Sequence, residues 1–488
     1  MKIRLIAIML LLAMSVMMFV SCGGGDDTTA PGGTRAPVTT NENYLHHGIE
    51  YDGDGAKVKF LSQDRDWYYD ELTLKPEEVV NVIDESVRDR ELYVEDELNV
   101  DIVNDKIVAV NYSTVTDQAR TLFDSQDTTY DFVMNSRTGG GNGAEIFWNL
   151  YEVDNVDLSM PWYNQGWVES NHNDQVTAIC GDATLSLLRL TFVTMCNNTI
   201  LAEYGVTNIY DDVTNGTWTI DREFEIVNMI YDDANNNNAK DLGDKFGFVT
   251  NTCTAVDPYW SAFRQKILSK DENGEFYFDV DTDSVTTATD KVNNLFHNSN
   301  GTLILPHQAG TDGEYEIAMQ GFASDLYAFG TFRLIAVESE FLIGMESPYG
   351  ILPMPKLDTD QTEYGSFFHD MHSLIGIMGT LPESRLPLVG AVLEVFSAYS
   401  YNETRGVYLD TALKGRYFRD QQSRDVLDIV VNSIIVDTGW TYSGVAGGVA
   451  YFYRTMIEGN KNNWAASIRS KKPIYESELK KFNAGEIK

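Results

Sequence analysis

The chain has 488 residues, with 73 acidic and 36 basic side chains and a formal net charge of −37. Nucleic-acid partners need a basic surface for their phosphates, so this charge argues against nucleic-acid binding, and equally against adhesion of the folded part to anionic lipid. A chain of this length exceeds what one small core needs and is long enough for two domains.

The first 21 residues have the features of a bacterial export signal. Two basic residues precede a 16-residue apolar stretch, residues 5–20, which has the usual length of a signal core and falls short of the ~20 residues that span a bilayer. The stretch ends in Phe-Val-Ser directly before Cys22, which is similar to a bacterial lipobox. We therefore predict a signal peptide over 1–21 and lipidation of Cys22. A plain secretory signal or an uncleaved anchor is the alternative.

Residues 22–55 are predicted to form a disordered tether. The segment is rich in Gly, Thr, Pro, Asp and Asn and has almost no apolar periodicity. After lipidation of Cys22 three cysteines remain, Cys180, Cys196 and Cys253, with no Cys-x-x-Cys pair. An odd number excludes a complete disulfide framework, so the sequence leaves open one bridge or three free thiols.

Strand and helix patterns alternate along the first part of the body. Strands are predicted at 57–61, 100–103 and 130–134, with an amphipathic helix over 79–98 and another over 115–123. This order is typical of a parallel α/β sheet.

The alternation continues towards the C-terminus with more helix. We predict helices over 218–230 and 285–296, a strand at 245–250 and an extended segment at 364–378. From residue 383 the chain is predicted to be mostly helical. One buried face is marked by Val426, Leu427, Val430, Ile434 and Ile435.

Four stretches together resemble one family. They are residues 87–100, the Asn-Gly-Thr-Trp-Thr of 215–219, the Tyr-Gly-Ile-Leu-Pro-Met-Pro-Lys of 349–356, and residues 412–428. In this order they are similar to the extracellular solute-binding proteins of carbohydrate ABC transporters, the type II group that includes maltose-binding proteins.

The resemblance implies an α/β fold of two lobes with a ligand cleft between them, and crossovers near Gly181, Tyr364 and Thr411. The first lobe would comprise 56–182 with 364–411, and the second 183–363 with 412–488. The implied protein is a lipid-anchored monomer outside the cytoplasm that captures a carbohydrate, an oligosaccharide in our prediction, and delivers it to ABC permease subunits. It would not be an enzyme and would require no cofactor.

Candidate ligand contacts in the first lobe follow from strand ends, because ligands of parallel α/β sheets bind outside the carboxyl ends of the strands. Asp66 and Trp67 follow the first predicted strand, and Asn135 and Arg137 follow the third. Aromatic rings suit the C–H faces of a sugar, and polar side chains suit its hydroxyls. Ordinary loop polarity is the alternative for these residues.

Candidates in the second lobe are aromatic. We predict ligand contacts from Tyr259 and Trp260, from Tyr327 and Phe329 after a Gly-Phe turn, and from Trp440 at a helix end. Core packing is the alternative for each of them.

A calcium loop is predicted ahead of the strand at 245. Oxygen-bearing side chains stand at the positions that such a loop uses. They are Asp233, Asn235, Asn237, Asp241 and Asp244. A polar loop that is held by its own Asx turns is the alternative.

The sequence carries no signature of catalysis among the G-x-S-x-G, H-E-x-x-H and P-loop patterns. Two alternatives to a carbohydrate-binding protein remain open at this point. One is an extracellular glycan-processing enzyme or a surface glycan adhesin. The other keeps the fold but changes the ligand to a peptide or another small polar solute.

Overall fold

Two separate β-sheets organise the body of the protein. The computed structural model describes residues 45–64, 72–138, 140, 145–171, 175–234, 236–280, 282–307, 313–442 and 448–484. The predicted signal peptide, Cys22, most of the tether and the segment that contains Asp66 and Trp67 lie outside these residues.

The first sheet has the strand order β2-β1-β3-β13-β4. Its strands are β1 (Ala56–Asp64), β2 (Val100–Val108), β3 (Phe132–Ser136), β4 (Ala178–Ile179) and β13 (Ser373–Ile377). β1 runs parallel to β2 and β3, whereas β13 is antiparallel to β3 and β4. The carboxyl ends of β1, β2 and β3 therefore meet at one edge of the sheet.

The second sheet has the order β10-β7-β11-β5-β12, with β6 beside β7. Its strands are β5 (Phe192–Asn197), β6 (Tyr231–Asp232), β7 (Lys245–Asn251), β10 (Thr302–Leu305), β11 (Tyr327–Arg333) and β12 (Tyr349–Leu352). A separate hairpin pairs β8 (Leu268–Lys270) with β9 (Phe276–Phe278). β10 and β11 run parallel to β7, so the carboxyl ends of these three strands also share an edge.

Helices cover both sheets. The α-helices before β12 are Val82–Leu98, Thr114–Asp124, Gln165–Ser170, Ser186–Arg189, Asn198–Glu203, Ile209–Thr214, Ile220–Met229, Asp257–Ala262, Thr282–Asn293, Gly313–Ala323 and Glu340–Ile343. Those after β13 are Leu386–Tyr399, Gln421–Asn432, Thr438–Thr441, Val449–Glu458 and Trp464–Asn483. No helix in the described part of the chain is both long enough and apolar enough to cross a membrane.

The helix Val82–Leu98 shows how local sequence sets an element. The side chain of Asn81 accepts hydrogen bonds from the amides of Ile83 and Asp84, at 2.8 and 3.1 Å, which caps the first turn. Its apolar face is buried, and Asn99 ends it with a left-handed φ of 49°, a conformation that Asn tolerates. The predicted helix is confirmed, with its start three residues later than expected.

Two hydrophobic cores accompany the two sheets. One contains the apolar residues of β1, β3 and β13, and the other those of β5, β7, β11 and β12. We call the two parts the first and the second lobe. The prediction of a two-lobed α/β fold is confirmed, whereas the residues at which each lobe begins and ends stay a prediction.

A continuous helical stretch links the two cores near the C-terminal end. The helix Leu386–Tyr399 continues through π-helical segments at Ser400–Thr404 and Val407–Tyr417. Ala398 belongs to the first core and Tyr408 to the second. Since π-helical turns are rare and mark functional or strained places in helices, this stretch is a candidate hinge.

Two local predictions differ from the structure. The segment 364–378 is strand only over Ser373–Ile377, because the residues before it pass from one core to the other: Phe367 packs in the second core and Phe368 in the first. Ile434 and Ile435 lie beyond the helix Gln421–Asn432, and Ile434 reaches both cores. Cys180, Cys196 and Cys253 are all free thiols, the first two of them buried, which is one of the two alternatives that the sequence left open.

Candidate functional site

Arg137 lies where the sequence placed it, directly after β3 at the carboxyl edge of the first sheet. Its guanidinium crosses to the second lobe and donates hydrogen bonds to the carbonyls of Trp440 and Thr441, the latter at 3.5 Å. Nη1 also lies 3.8 Å from a carboxylate oxygen of Asp370. The guanidinium therefore connects the first lobe, the second lobe and the crossover that carries Asp370.

Asp370 is the centre of this charged group. Its carboxylate lies 3.4 Å from Nδ1 of His369 and accepts a hydrogen bond from the hydroxyl of Tyr451 at 3.5 Å. Burial opposes ionisation of Asp370, but the charges of His369, Arg137 and Arg454 outweigh it and hold its pKa below the ordinary value. Asp370 is consequently an ionised hydrogen-bond acceptor between the lobes.

A second guanidinium–carboxylate pair lies beside the first. Arg454 contacts both oxygens of Asp257, with Nε 3.0 Å from Oδ1. Burial raises the pKa of Asp257 to about 6, although the charge of Arg454 partly opposes the shift. The guanidinium of Arg454 also lies 5.1 Å from the ring centroid of Tyr451, a cation–π distance.

Aromatic rings line the space next to these charges. Trp440 packs with its ring centroid 5.2 Å from that of Phe367 and 5.6 Å from that of Tyr451. A cavity of about 20 Å³ remains between the lobes. Its lining residues are Arg137, Trp167, Phe367, Phe368, Asp370, His372, Val436, Asp437, Trp440 and Thr441. This volume holds about one water molecule, so a larger ligand enters only when the lobes separate.

Two polar atoms of cavity-lining residues have no hydrogen-bond partner among the described residues. They are the indole N–H of Trp440, a donor, and Nε2 of His372. Burial lowers the pKa of His372 to about 3, so its imidazole is neutral. Nδ1 of His372 lies 3.1 Å from the carbonyl of His369 and carries the proton, which leaves Nε2 as an acceptor. The site thus offers one donor and one acceptor in addition to its paired charges.

Asn135 has a supporting position. Its side-chain amide is fully buried and donates hydrogen bonds to Oγ1 of Thr116 at 2.9 Å and to the carbonyl of Tyr112 at 3.1 Å. Asn135 therefore fixes the turn after β2, whose Tyr112 side chain is exposed at the same sheet edge. Direct ligand contact by Asn135 stays a prediction.

Trp260 and Tyr259 lie in the second core. Trp260 is fully buried against Tyr453 and Trp464, but its indole N–H donates a hydrogen bond to Oδ2 of Asp437 at 3.2 Å. It thereby orients a residue that lines the cavity. The hydroxyl of Tyr259 does not contact Asp437; it donates a hydrogen bond to the buried carboxylate of Glu223.

Tyr327 and Phe329 are placed differently from the sequence expectation. Both belong to β11 and are almost completely buried. Phe329 packs against Trp218 at 5.7 Å and Tyr327 against Phe246 at 6.3 Å. The reason is that β11 begins at Tyr327, so these rings are central-strand residues of the second sheet and form its core.

Several residues of the site carried no signal in the sequence. Asp370, Asp257, Arg454, Tyr451 and Phe367 come from three separate segments that meet only in the folded chain. The single available hint was position, since Asp257 follows β7 at the carboxyl edge of the second sheet.

The predicted calcium loop is held together by its own hydrogen bonds. The carboxylate of Asp233 accepts from the amides of Asn237 and Asn238, at 3.1 and 2.8 Å, and Asp241 accepts from the side-chain amide of Asn237 at 2.6 Å. Within the described chain, no three His, Cys, Asp or Glu side chains converge as a metal-binding group. Asn235 lies outside the described residues. The calcium site therefore stays a prediction, and the observed bonds are those of a polar loop.

One observation at this loop favours a cation. Asp244 is fully buried, and one of its carboxylate oxygens has no hydrogen-bond partner in the described part of the chain. The other oxygen accepts from the amide of Asp241 at 3.1 Å and from the hydroxyl of Tyr231 at 3.4 Å.

Solved structures share this architecture along almost its whole length. The cyclic α-maltosyl-1,6-maltose binding protein from Arthrobacter globiformis superimposes with a TM-score of 0.56 at 11% identity, over 87% of this chain and 99% of that one. The galacto-N-biose/lacto-N-biose I-binding protein of the ABC transporter from Bifidobacterium longum, in complex with lacto-N-biose, gives 0.54 at 9% identity, over 87% and 98%. The maltose/maltodextrin-binding domain MalE from Bdellovibrio bacteriovorus, bound to maltotriose, gives 0.52 at 10%, over 87% and 99%.

Sequence comparison adds nothing to this likeness. No protein-family model matches the chain, and no curated protein matches its sequence. The likeness in three dimensions confirms the resemblance at the level of the fold: this chain has the two-lobed fold that these three sugar-binding proteins share.

Proposed function

We propose that this chain is an extracytoplasmic solute-binding protein that captures a carbohydrate between its lobes and delivers it to the permease of an ABC transporter. The observation that carries the proposal is the site between the lobes, where aromatic rings lie beside two guanidinium–carboxylate pairs. The fold supports it, because the solved structures that share it are sugar-binding proteins by name.

The chemistry of the site matches the surface of a sugar. The rings of Trp440, Phe367 and Tyr451 offer apolar faces for C–H groups. Ionised Asp370 accepts hydrogen bonds from hydroxyls, and the guanidinium groups of Arg137 and Arg454 donate them in a fixed planar geometry. A sugar hydroxyl both donates and accepts, so it satisfies either kind of partner.

Binding requires movement of the lobes. A space of about 20 Å³ is far smaller than a sugar ring, so the ligand enters an opened cleft and is enclosed on closure. The crossover segments, including the long helical stretch with its π-helical turns, are the elements about which such a hinge motion occurs.

A thermal-shift series over neutral mono- and oligosaccharides tests the proposal, beginning with maltotriose and lacto-N-biose. A sugar that binds only the folded state raises Tm, because binding adds to the free energy of unfolding. At a sugar concentration one hundred times its Kd, this addition is about 2.7 kcal/mol. Isothermal titration then gives the affinity. If peptides or amino acids raise Tm while every sugar leaves it unchanged, the ligand belongs to another class.

One observation favours the alternative of a glycan-processing enzyme. Asp257 and Asp370 have pKa values displaced in opposite directions within the same site, as the acid and the base of a glycosidase do. Both carboxylates are, however, already paired with guanidinium groups, which suits fixed acceptors better than proton carriers. Incubation with oligosaccharides separates the two functions, since a binding protein returns its ligand intact and an enzyme leaves cleaved product.

A further inference from the structure

Two basic side chains bridge the lobes in opposite directions. Arg137 of the first lobe donates to the carbonyls of Trp440 and Thr441, at the end of the short second-lobe helix Thr438–Thr441. Lys270 of the second lobe donates to the carbonyls of Glu169 and Asn171, at the end of the short first-lobe helix Gln165–Ser170. Each lobe thus presents terminal helix carbonyls to a cation of the other.

The contact at Lys270 lies outside the cavity between the lobes. Lys270 is the last residue of β8, and its ammonium lies 2.6 Å from the carbonyl oxygen of Glu169 and 2.5 Å from that of Asn171. Neither Lys270 nor its two acceptors lines the cavity described above. The contact is therefore separate from the residues that line the cavity.

The hairpin that carries Lys270 is anchored to the second lobe. The ring of Phe276 on β9 stacks on Phe482 of the C-terminal helix at 5.9 Å, and Asn483 exchanges hydrogen bonds with the backbone of Phe276. The ammonium of Lys270 lies 5.2 Å from the ring centroid of Phe276. Movement of the second lobe thus carries the ammonium with it.

A neighbouring residue reinforces the bridge. The hydroxyl of Tyr442, whose ring packs on Phe276 and Phe482, donates to the side-chain oxygen of Asn171 at 3.4 Å. Lys270 and Tyr442 therefore both reach from the second lobe to Asn171, on the first lobe.

We propose that Lys270 is a latch that holds the lobes closed, acting together with Arg137 at a distance from the ligand. Opening of the lobes separates Lys270 from Glu169 and Asn171, and Arg137 from Trp440 and Thr441, so both contacts are made only in the closed state. Cations at helix C-termini satisfy carbonyls that lack intrahelical donors. Because Lys270 is exposed, its contribution is that of a surface charge, equivalent to about a two- to fivefold change in the ratio of closed to open molecules.

The distance between the lobes in the full chain without any sugar tests the latch. Double electron–electron resonance measures this distance and gives the ratio of closed to open molecules. The spin labels are placed at two exposed helix positions, Gln118→Cys in the first lobe and Glu316→Cys in the second. The half-buried Cys253 is replaced by Ser in every variant. Lys270→Met removes the charge and keeps the stem, and we expect it to lower the closed-to-open ratio by about two- to fivefold.

Two companion variants separate the latch from general effects of charge. Lys270→Arg keeps a cation and should retain the closed fraction. Lys245→Met removes a second-lobe lysine whose ion pair, at 2.7 Å, is with Glu203 of the same lobe, and it should behave like the parent protein. The proposal is overturned if Lys270→Met and Lys245→Met give the same ratio, or if the parent protein is fully open. No sugar enters this experiment, so its result is independent of the proposed carbohydrate binding.

Discussion

Trp440 and Trp260 differ in the surroundings of their rings, and the difference decides what each substitution does. Trp440 lies beside the cavity and the charged pairs, whereas Trp260 is enclosed by Tyr453 and Trp464. Trp440→Ala should weaken binding of the sugar with the largest thermal shift by about 1–3 kcal/mol, roughly ten- to hundredfold. Trp260→Ala should instead lower the free energy of unfolding by about 3–5 kcal/mol, because it opens a core cavity.

Calorimetric titration and urea melts of both variants check this pair. Unchanged affinity in Trp440→Ala would remove its ring from the ligand site. Severe loss of stability in Trp440→Ala with little loss in Trp260→Ala would reverse the two assignments.

Glu223 gives the protein a pH-dependent stability. Burial raises the pKa of this fully buried carboxyl to about 8, and the hydrogen bond from Tyr259 offsets the shift only in part. A carboxyl pKa that is higher in the folded than in the unfolded state means that the folded state holds the proton more tightly. The protonated Glu223 carboxyl therefore makes its full contribution to the free energy of unfolding below the unfolded pKa of about 4.5. This contribution is lost as the pH rises to about 8.

Glu223→Gln removes this dependence, because the amide stays neutral at every pH. We expect the variant to be more stable than the parent above about pH 8, on the order of 1–3 kcal/mol, and nearly equal to it below about pH 4.5. Urea melts of the parent and the variant across this pH range measure the difference in their free energies of unfolding. Glu225→Gln changes an exposed residue of the same helix and is the control. Parallel pH profiles for parent and Glu223→Gln would contradict the assignment.

Residue types and strand ends predicted Arg137 and Trp440 as parts of one region, because both follow elements whose ends are readable in the sequence. They did not predict Asp370 or Arg454. These become neighbours through crossovers of the chain, and neither stands in a pattern of its own. Likewise, Tyr259 and Trp260 are consecutive, yet only the folded core decides that one hydroxyl meets Glu223 and the neighbouring indole meets Asp437.

At the scale of elements, the first sheet and its helices were predicted well because each has a clear period. β1, β2 and β3 and the helices after β1 and β2 all occur near the expected positions. β11 was missed because its seven residues are buried on both faces and show no alternation that separates a strand from a pocket-lining segment. Tyr327 and Phe329 consequently belong to the core of the second sheet.

The loop from Asp233 to Asp244 predicts a stability effect that separates its two interpretations. Asp233→Ala leaves the amides of Asn237 and Asn238 without their acceptor and should lower stability by about 0.5–1.5 kcal/mol. If the loop is held by its own bonds, the loss of Tm is the same in EDTA and in calcium chloride. Asp232→Ala, just before the loop, is the control.

A calcium-dependent Tm in the parent protein that Asp233→Ala abolishes would support the metal site instead. In that case the unpaired buried oxygen of Asp244 would be a ligand of the ion. Melting curves recorded in both buffers are sufficient for the comparison.

At the scale of the whole molecule, chain length predicted two cores, but no local pattern predicted how the lobes meet. The contacts that join them connect residues far apart in the chain: Arg137 is 303 positions from Trp440, and Lys270 is 101 positions from Glu169. Such pairs carry no periodicity. The position of the cleft could thus be predicted from the fold, whereas the contacts that join the two lobes could be identified only in the structure.

Attachment to the membrane is the last property of the whole molecule that the sequence predicts, and it rests on the apolar stretch of residues 5–20. As a helix, 16 residues extend about 24 Å, short of the ~30 Å hydrocarbon core, so a lipid on Cys22 would be the anchor. Cys22→Ala should therefore move the protein from the membrane fraction to the soluble fraction or the medium, whereas Cys253→Ala should leave it in the membrane. Fractionation with immunoblotting and mass spectrometry of the N-terminal peptide measures both. A Cys22→Ala protein that stays in the membrane with its signal uncleaved would show that the apolar stretch itself is the anchor.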